Sequence, residues 1–402
     1  MTERDAIASS LETARVAVIG AGTMGAGIAQ VALEGGWRVA LHDPGAGVAD
    51  RAIDRIRHGL SRRAEKSGER DPAGTAARQL LALDVVPSVE RAVDGAHLAI
   101  EAVIEDLDLK RRLFTVIDDA ATPDAILASN TSALSIARIA EVARRPERVV
   151  GLHFFNPAPL LPLVEVVAGP ASAAWAVEQA AGIVEGWGKT PIRVADSPGF
   201  IVNRVNRPFT LEPLRLLRAG AAGIKGIDAA IVAAGFRMGP FALMDLIGID
   251  VNLAAARGLF EASGRPPRFR PSPIQEELVA AGRLGQKTGE GFYRYEDGKP
   301  VGPARRFAAR PTRGAMDLAT IAERVILAVV NEAYRAFGDG VASETDIDLA
   351  MRLGANHPFG PFEWARRTGL PEVAVMLDSL SDEDADTFRP SLPLLRAARA
   401  EM

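Results

Sequence analysis

The chain contains no cysteine, which excludes disulfides, thiolate nucleophiles and iron–sulfur or zinc–thiolate centres. Histidine is also scarce: His42, His58, His97, His153 and His357 are scattered, and none gathers other ligand-type residues at metal-binding spacing. No resident metal is therefore expected. An excess of either charge is missing too, since 47 Lys/Arg against 51 Asp/Glu leave a formal net charge of −4. Such a chain has no overall basic field to attract nucleic acid. No uninterrupted apolar run is long enough to span a bilayer. The opening MTERDAIASSLETAR carries charges throughout and lacks the apolar segment of a signal peptide, so a cytoplasmic location is expected. What remains is 402 residues with 48% hydrophobic content, enough for at least one large core and two or three domains.

Glycine, by contrast, is concentrated. In VAVIGAGTMGAGIAQ, Val16 to Gln30, four glycines fall within eight residues directly after a short run of β-branched and apolar ones. The spelling predicts a buried strand, a turn and a helix that runs to the stop at Gly35 and Gly36. A second strand, RVALHD, ends on Asp43, 23 residues after Gly20. That order is the dinucleotide-binding fingerprint: Gly20 for the tight turn, Gly22 for close backbone approach to a pyrophosphate, Gly25 for packing of helix on strand. Helical composition runs from Ala26 to Leu33, and the N–H groups and dipole at that helix's N-terminus favour the phosphates, with Thr23 and Met24 counted among the cofactor contacts. Asp43 is placed for the ribose hydroxyls, where a carboxylate repels a 2′-phosphate and favours NAD over NADP. Alone, Gly-x-Gly-x-x-Gly is often only a loop; two strands and an acid at these spacings make it specific.

Further strands are expected at HLAIEAV, AILASN and RVVGLHFF, with helices at LKRRLFTVIDDA and SALSIARIAEVA. The alternation predicts a mostly parallel, doubly wound sheet that binds ligands at the carboxyl ends of its strands. Those ends offer Ser132, His153 and Glu165, the last twelve residues beyond the histidine across a segment with three prolines. A returning strand would bring Glu165 to the His153 ring and make a tuned general base. The pattern equally admits a histidine that only satisfies a strand end and a glutamate exposed to solvent. Ser132 lacks a Gly-x-Ser-x-Gly elbow, which argues against a hydrolase. Between Asp50 and Arg70, seven Lys/Arg stand against four Asp/Glu. That segment is either a solvated helix face or a dock for an anionic substrate tail.

Together, VIGAGTMGAGIAQ, EAVIEDLDLKRRLF, LASNTSAL, GLHFFNPAPLLPLVEVV, DSPGFIVNRV, GFRMGPFALMDLIGID and GQKTGEGFYRY strongly resemble the L-3-hydroxyacyl-CoA dehydrogenase family, of the 3-hydroxybutyryl-CoA type, over roughly residues 13 to 296. The resemblance implies oxidation of the 3-hydroxyl of an acyl-CoA with NAD. It places the catalytic pair on His153 and Glu165, and the substrate-oxygen ligands on Ser132 and Asn203. Cofactor contacts fall on Glu105, Lys110, Asn156 and Lys287, and Lys66 in the basic helix matches a lysine used on CoA. Two alternatives stand beside it: a dehydrogenase of a free hydroxy acid of the gulonate or carnitine type, and a non-catalytic NAD-binding protein.

After Pro198 the composition turns helical and repeats itself. FIVNRVNRPFTLEPLRLLRAGAAGIKGIDAAI aligns with TIAERVILAVVNEAYRAFGDGVASETDIDLAM at an offset of 120, matching Arg204 to Arg324, Glu212 to Glu332, Arg215 to Arg335 and Asp228 to Asp348. One residue of slippage later, Gly239 matches Gly360. Asn203 aligns with Glu323 and Asp245 with Arg366, so the second copy is expected to have no active site. The expected organisation is an α/β Rossmann-type domain over 1–196, a helical domain over 197–298, a linker over 299–312 and a degenerate second copy over 313–402. Both helical domains would be all-α and of the 6-phosphogluconate-dehydrogenase C-terminal type. In single-copy members of the family this domain dimerises, so the second copy is a candidate internal partner, and the chain a monomer or a homodimer.

Overall fold

A computed structural model describes residues 14–308 and 316–401, which fall into two compact units, Met1–Ser197 and Pro198–Met402. In the first, β1 (Arg15–Ile19), α1 (Thr23–Glu34), β2 (Arg38–His42), α2 (Val48–Lys66), α3 (Pro72–Leu80), β3 (Leu83–Val85), α4 (Val89–Val93) and β4 (Leu98–Glu101) are followed by α5 (Leu107–Ala120), β5 (Ile126–Ser129), α6 (Ile136–Ala140), β6 (Val149–Phe154), β7 (Leu163–Ala168), α7 (Ala174–Gly186) and β8 (Thr190–Ala195). The eight strands form one sheet in the order β3-β2-β1-β4-β5-β6-β7-β8. Every neighbouring pair is parallel except β6 with β7. Strands β4, β5 and β6 are buried along their whole length, as a sheet covered by helices on both faces requires. The strand order reverses between β1 and β4, and the glycine turn leaves β1 at that crevice.

Two departures from the expected elements have local causes. The helix expected over SALSIARIAEVA shrinks to α6, because the residues before it are wound into a turn by side-chain hydrogen bonds and Ser135 caps only the last stretch. Strands β3 and β8 went unforeseen; both lie at sheet edges, and β3 has only three residues.

The second unit contains α8 (Val202–Val205), α9 (Arg207–Arg218), α10 (Ile224–Ala233), α11 (Pro240–Ile247), α12 (Ile249–Ala262) and α13 (Pro273–Ala280). A hairpin of β9 (Tyr293–Glu296) and β10 (Lys299–Pro303) follows, then α14 (Leu318–Gly338), α15 (Glu344–Gly354), α16 (Pro361–Thr368), α17 (Leu370–Leu380), α18 (Ala385–Phe388) and α19 (Leu392–Ala400). The expected linker therefore begins too early. Asp297 and Gly298 both have positive φ, the backbone of a tight hairpin turn, and they fold Lys299–Pro303 back onto Tyr293–Glu296. Residues 309–315, the rest of that linker, lie outside the described residues. The two expected helical domains also form one compact unit rather than two bodies.

Their shared interior holds two matching ion pairs. Arg204 Nε donates to Glu332 Oε1 at 2.8 Å, and Arg324 Nε to Glu212 Oε1 at 2.5 Å, with all four residues buried. Each arginine also reaches a more exposed acid, Asp339 for Arg204 and Glu383 for Arg324, both at 2.6 Å.

Candidate active site

Of the three fingerprint glycines, the fold itself demands two. Gly20 has φ +102°, and a Cβ on it would lie 2.7 Å from the Ala102 carbonyl oxygen; one on Gly25 would lie 1.8 Å from the Gly20 oxygen. A Cβ on Gly22 would meet no atom of the protein. The protein leaves that space to a visitor. Gly22 caps α1 without a side-chain hydrogen bond, and the first turn, with exposed Thr23 and half-buried Met24, carries no acid. This is an N-terminus ready for a pyrophosphate. Asp43 stands beside it, its Oδ2 accepting the Ala21 N–H and its Oδ1 the Gly45 N–H, both at 2.8 Å. The acid thus braces the glycine turn, and each oxygen retains acceptor capacity for a ribose hydroxyl.

His153 and Glu165 are direct cross-strand partners on β6 and β7. Their side chains meet with Nδ1 2.6 Å from Oε2, the ring nearly buried and the carboxylate fully so. A solvent-exposed glutamate is thereby ruled out. A carboxylate on Nδ1 fixes the tautomer with the proton there and puts the basic lone pair on Nε2. Phe155 packs against the ring at 4.4 Å. The Pro-rich turn between the strands, which contains the cis peptide Asn156–Pro157 and leaves Asn156 exposed, is held by the buried Lys189 ammonium, which donates to the carbonyls of Ala158 at 2.5 Å and Leu161 at 3.0 Å.

Ser132 sits on a turn wound around one carboxylate. Glu105 Oε1 accepts from Thr131 Oγ1 at 2.6 Å, Ser132 N at 2.9 Å, Ala133 N at 3.1 Å and Ser132 Oγ at 3.2 Å. Burial pushes the Glu105 carboxyl up, but the Lys110 charge and these hydrogen bonds outweigh it and hold the group below the usual carboxylate range. Lys110 is itself buried, with Nζ 2.7 Å from Glu101 Oε1 and 3.4 Å from Glu105 Oε2, so its ammonium is spent beneath the site. Glu101, which is not among the site residues expected from sequence, is fully buried and also accepts from Val103 N and Ser129 Oγ. The signal was there: a carboxylate closing an apolar strand, nine residues before a lysine. Asn130 ties this turn to β6 by accepting the Phe154 N–H at 2.9 Å.

Lys66 is the exposed last residue of α2. That helix buries Ala52, Ile56, Leu60 and Ala64 and turns its arginines to solvent, a geometry that both readings of the basic segment share. Asn203 and Lys287 belong to the second unit. There Asn203 lies on α8, and Lys287 Nζ reaches both oxygens of Asp250, at 2.6 and 2.8 Å. Among the described residues no group of three His, Asp or Glu could hold a metal ion, and no helix is long and apolar enough to cross a membrane.

A doubly wound sheet with a pyrophosphate cradle at its switch point and a carboxylate-held histidine at a strand end defines a dinucleotide-dependent oxidoreductase. Comparison with known proteins narrows the class. Residues 15–197 match the 3-hydroxyacyl-CoA dehydrogenase NAD binding domain, and residues 199–295 and 321–400 match the C-terminal domain of the same family. The chain belongs to the 3-hydroxyacyl-CoA dehydrogenase family and is an NAD-dependent oxidoreductase of 3-hydroxyacyl-CoA. It is 38% identical to the 3-hydroxyadipyl-CoA dehydrogenase of Escherichia coli, over 96% of this chain and 98% of that one. The crystal structure of an E. coli 3-hydroxybutyryl-CoA dehydrogenase is similar at a TM-score of 0.86 and 37% identity, over 96% and 98% of the two chains. Human mitochondrial hydroxyacyl-coenzyme A dehydrogenase is 39% identical, with 94% of its length matched to 72% of this chain.

Proposed function

We propose that His153 is the general base of the oxidation and Glu165 its orienting partner. The buried 2.6 Å contact between them carries this reading. Bound NAD supplies the acceptor for a hydride from C3 of the substrate. As that hydride departs, His153 Nε2 takes the proton of the 3-hydroxyl, the C3–O bond becomes a carbonyl, and Glu165 stabilises the imidazolium that forms. In the reverse direction the same imidazolium returns its proton to the ketone oxygen. Ser132 and Asn203 hold the 3-oxygen and stabilise charge as it develops there. Gly20, Gly22, Thr23, Met24 and Gly25 seat the pyrophosphate and Asp43 the ribose. Glu105, Asn156 and Lys287 complete the cofactor set, with buried Lys110 acting through Glu105. Lys66 meets the phosphates of CoA.

The substrate we favour is 3-hydroxybutyryl-CoA, in a cytoplasmic setting where NAD and acyl-CoA thioesters are both at hand. The test is the loss of NADH absorbance with acetoacetyl-CoA and longer 3-ketoacyl-CoAs, including 3-ketoadipyl-CoA, beside acetoacetate and beside NADPH. Turnover of the thioesters with NADH supports the reading, and its chain-length profile selects the acyl group. Turnover of free acids alone would overturn it.

We also propose that the second unit is two copies of one helical domain, the second serving the first as an internal partner. Support comes from the shared order of helices and from capping: Asp228 accepts the N–H groups of Phe241 and Ala242 at the start of α11, and Asp348 those of Phe362 and Glu363 at the start of α16. The reciprocal pairs Arg204–Glu332 and Arg324–Glu212 join equivalent positions in both directions, the signature of a two-fold contact. A monomer in light scattering supports this; homodimers formed through the Glu212 and Glu332 surface would oppose it.

A further inference from the structure

Helix α8, which carries Asn203, spans only Val202–Val205, too short to be stable on its own hydrogen bonds. Its anchors lie just beyond Asn203, at Arg204 and Asn206. Before the break to α9, Arg204 donates to Glu332 at 2.8 Å and to Asp339 at 2.6 Å. At the break, Asn206 Oδ1 lies 2.9 Å from His357 Nε2. Glu332, Asp339 and His357 all belong to the second helical copy.

His357 is nearly buried beside Phe209 and Phe236, and with Phe359 they line one small cavity. Burial depresses its pKa to about 3, so the ring is neutral, and the acceptor opposite fixes the proton on Nε2. By the Gly239–Gly360 register the counterpart of His357 is Phe236, and at the offset of 120 the counterpart of Asn206 is Ile326. Phe236 and Ile326 line that same cavity, so the reciprocal position is apolar. A buried imidazole among phenyl rings is unfavourable unless its polar atoms are used. The polar version of this contact occurs on the side that bears Asn203.

We propose that His357 and Glu332 are positioning residues for Asn203: the second copy holds the C-terminal end of α8 through Arg204 and Asn206 and so fixes where the Asn203 amide is presented. This rests on the reading of Asn203 as a ligand of the substrate oxygen. The experiment compares full-length His357→Phe, His357→Gln, Asn203→Ala and the double variant His357→Phe/Asn203→Ala, with kcat and KM measured for acetoacetyl-CoA and NADH. Phenylalanine suits the aromatic surroundings, so His357→Phe is expected to fold; a native thermal transition confirms it, and His357→Leu is the second choice. The expected result is a loss of kcat of about tenfold, within the ~100-fold that a 1 Å misplacement can cost. KM for NADH stays constant, His357→Gln restores most of the rate through its own N–H, and the effect disappears in the Asn203→Ala background. A crippled Asn203→Ala beside a full-rate His357→Phe would overturn the positioning role alone. Normal turnover of Asn203→Ala would sink the reading of Asn203 and the proposal with it.

Discussion

The two proposed helical copies share an order of helices and differ at positions to which a chemical role is assigned in only one of them. In the first, Pro208 at the start of α9 and Pro213 inside it accompany a break between α8 and α9, three residues after Asn203. In the second, Ala328 and Ala333 stand at those positions and α14 runs unbroken for 21 residues. Asn203 becomes Glu323, and the buried Asp245, which binds the β9 strand through Phe292, Tyr293 and Tyr295, becomes the exposed Arg366. The aspartate caps of α11 and α16 and the glycines that approach them are retained. Capping and close approach serve the fold in both copies; the broken helix and the hairpin anchor belong to the copy with a proposed catalytic role.

Loss of the base sets the scale for testing this contrast. His153→Ala is expected to lower kcat by about 10²–10⁴-fold while NADH still binds, as fluorescence titration would show. Near-normal turnover would remove His153 from its role. Next in size, Asn203→Ala should lower kcat by about 10²–10³-fold, the usual loss for one oxyanion-type donor, while Glu323→Ala leaves it unchanged. Equal losses at the two positions would erase the distinction between a catalytic and a degenerate copy.

The mirrored ion pairs sharpen the contrast by separating stability from function. Glu212→Ala and Glu332→Ala each remove a buried carboxylate and leave its arginine only the more exposed acid, Glu383 or Asp339, so each should destabilise the protein in urea unfolding by about 2–4 kcal/mol, below the full cost of an unpaired buried charge. Only Glu332→Ala should reduce kcat in the folded fraction, because only its arginine adjoins Asn203. A matching kcat loss in Glu212→Ala would make the grip on α8 a property of the whole unit.

Much of this was legible in the sequence because it rests on local pattern. The glycine turn and Asp43 follow from fingerprint spacing; the return of Glu165 to His153 is one of two readings the pattern allows and is chosen by the family resemblance, and the structure pairs the two residues. The proposed duplication is read from Arg204, Glu212, Arg324 and Glu332, yet the crossed pairing of these residues is not, since a one-dimensional alignment matches equivalent residues and cannot show which of them touch. Glu101, Ser129 and Lys189 escaped because their partners lie across the sheet or a turn. The hairpin escaped for a different reason: Asp297-Gly298 is a strong turn signal, but the Gly/Pro/Arg composition beyond it reads as linker.

The smallest effect concerns pH and separates two buried titrating groups, one from each proposed copy. His357 has a pKa of about 3 when folded against about 6.5 in a free chain. Between those values the unfolded chain binds a proton that the folded chain does not, so stability is full above about pH 6.5 and is lost progressively as pH falls towards 3. Asp228 runs the other way. Burial raises its carboxyl to about 6 despite hydrogen bonds from Phe241, Tyr293 and Ala242, so the folded chain holds the extra proton, and this contribution is lost as pH rises from about 4 through 6. The destabilisation by His357→Phe, followed by urea unfolding, should therefore be constant above pH 6.5 and shrink steadily at lower pH. For Asp228→Asn, whose amide keeps one acceptor and carries no charge, the difference from wild type should instead change between pH 4 and 6, in the variant's favour as pH rises. A pH-independent penalty for His357→Phe would mean that the ring is accessible enough to protonate in the folded state, and that the second copy does not close over Asn206 as tightly as its 2.9 Å contact with His357 implies.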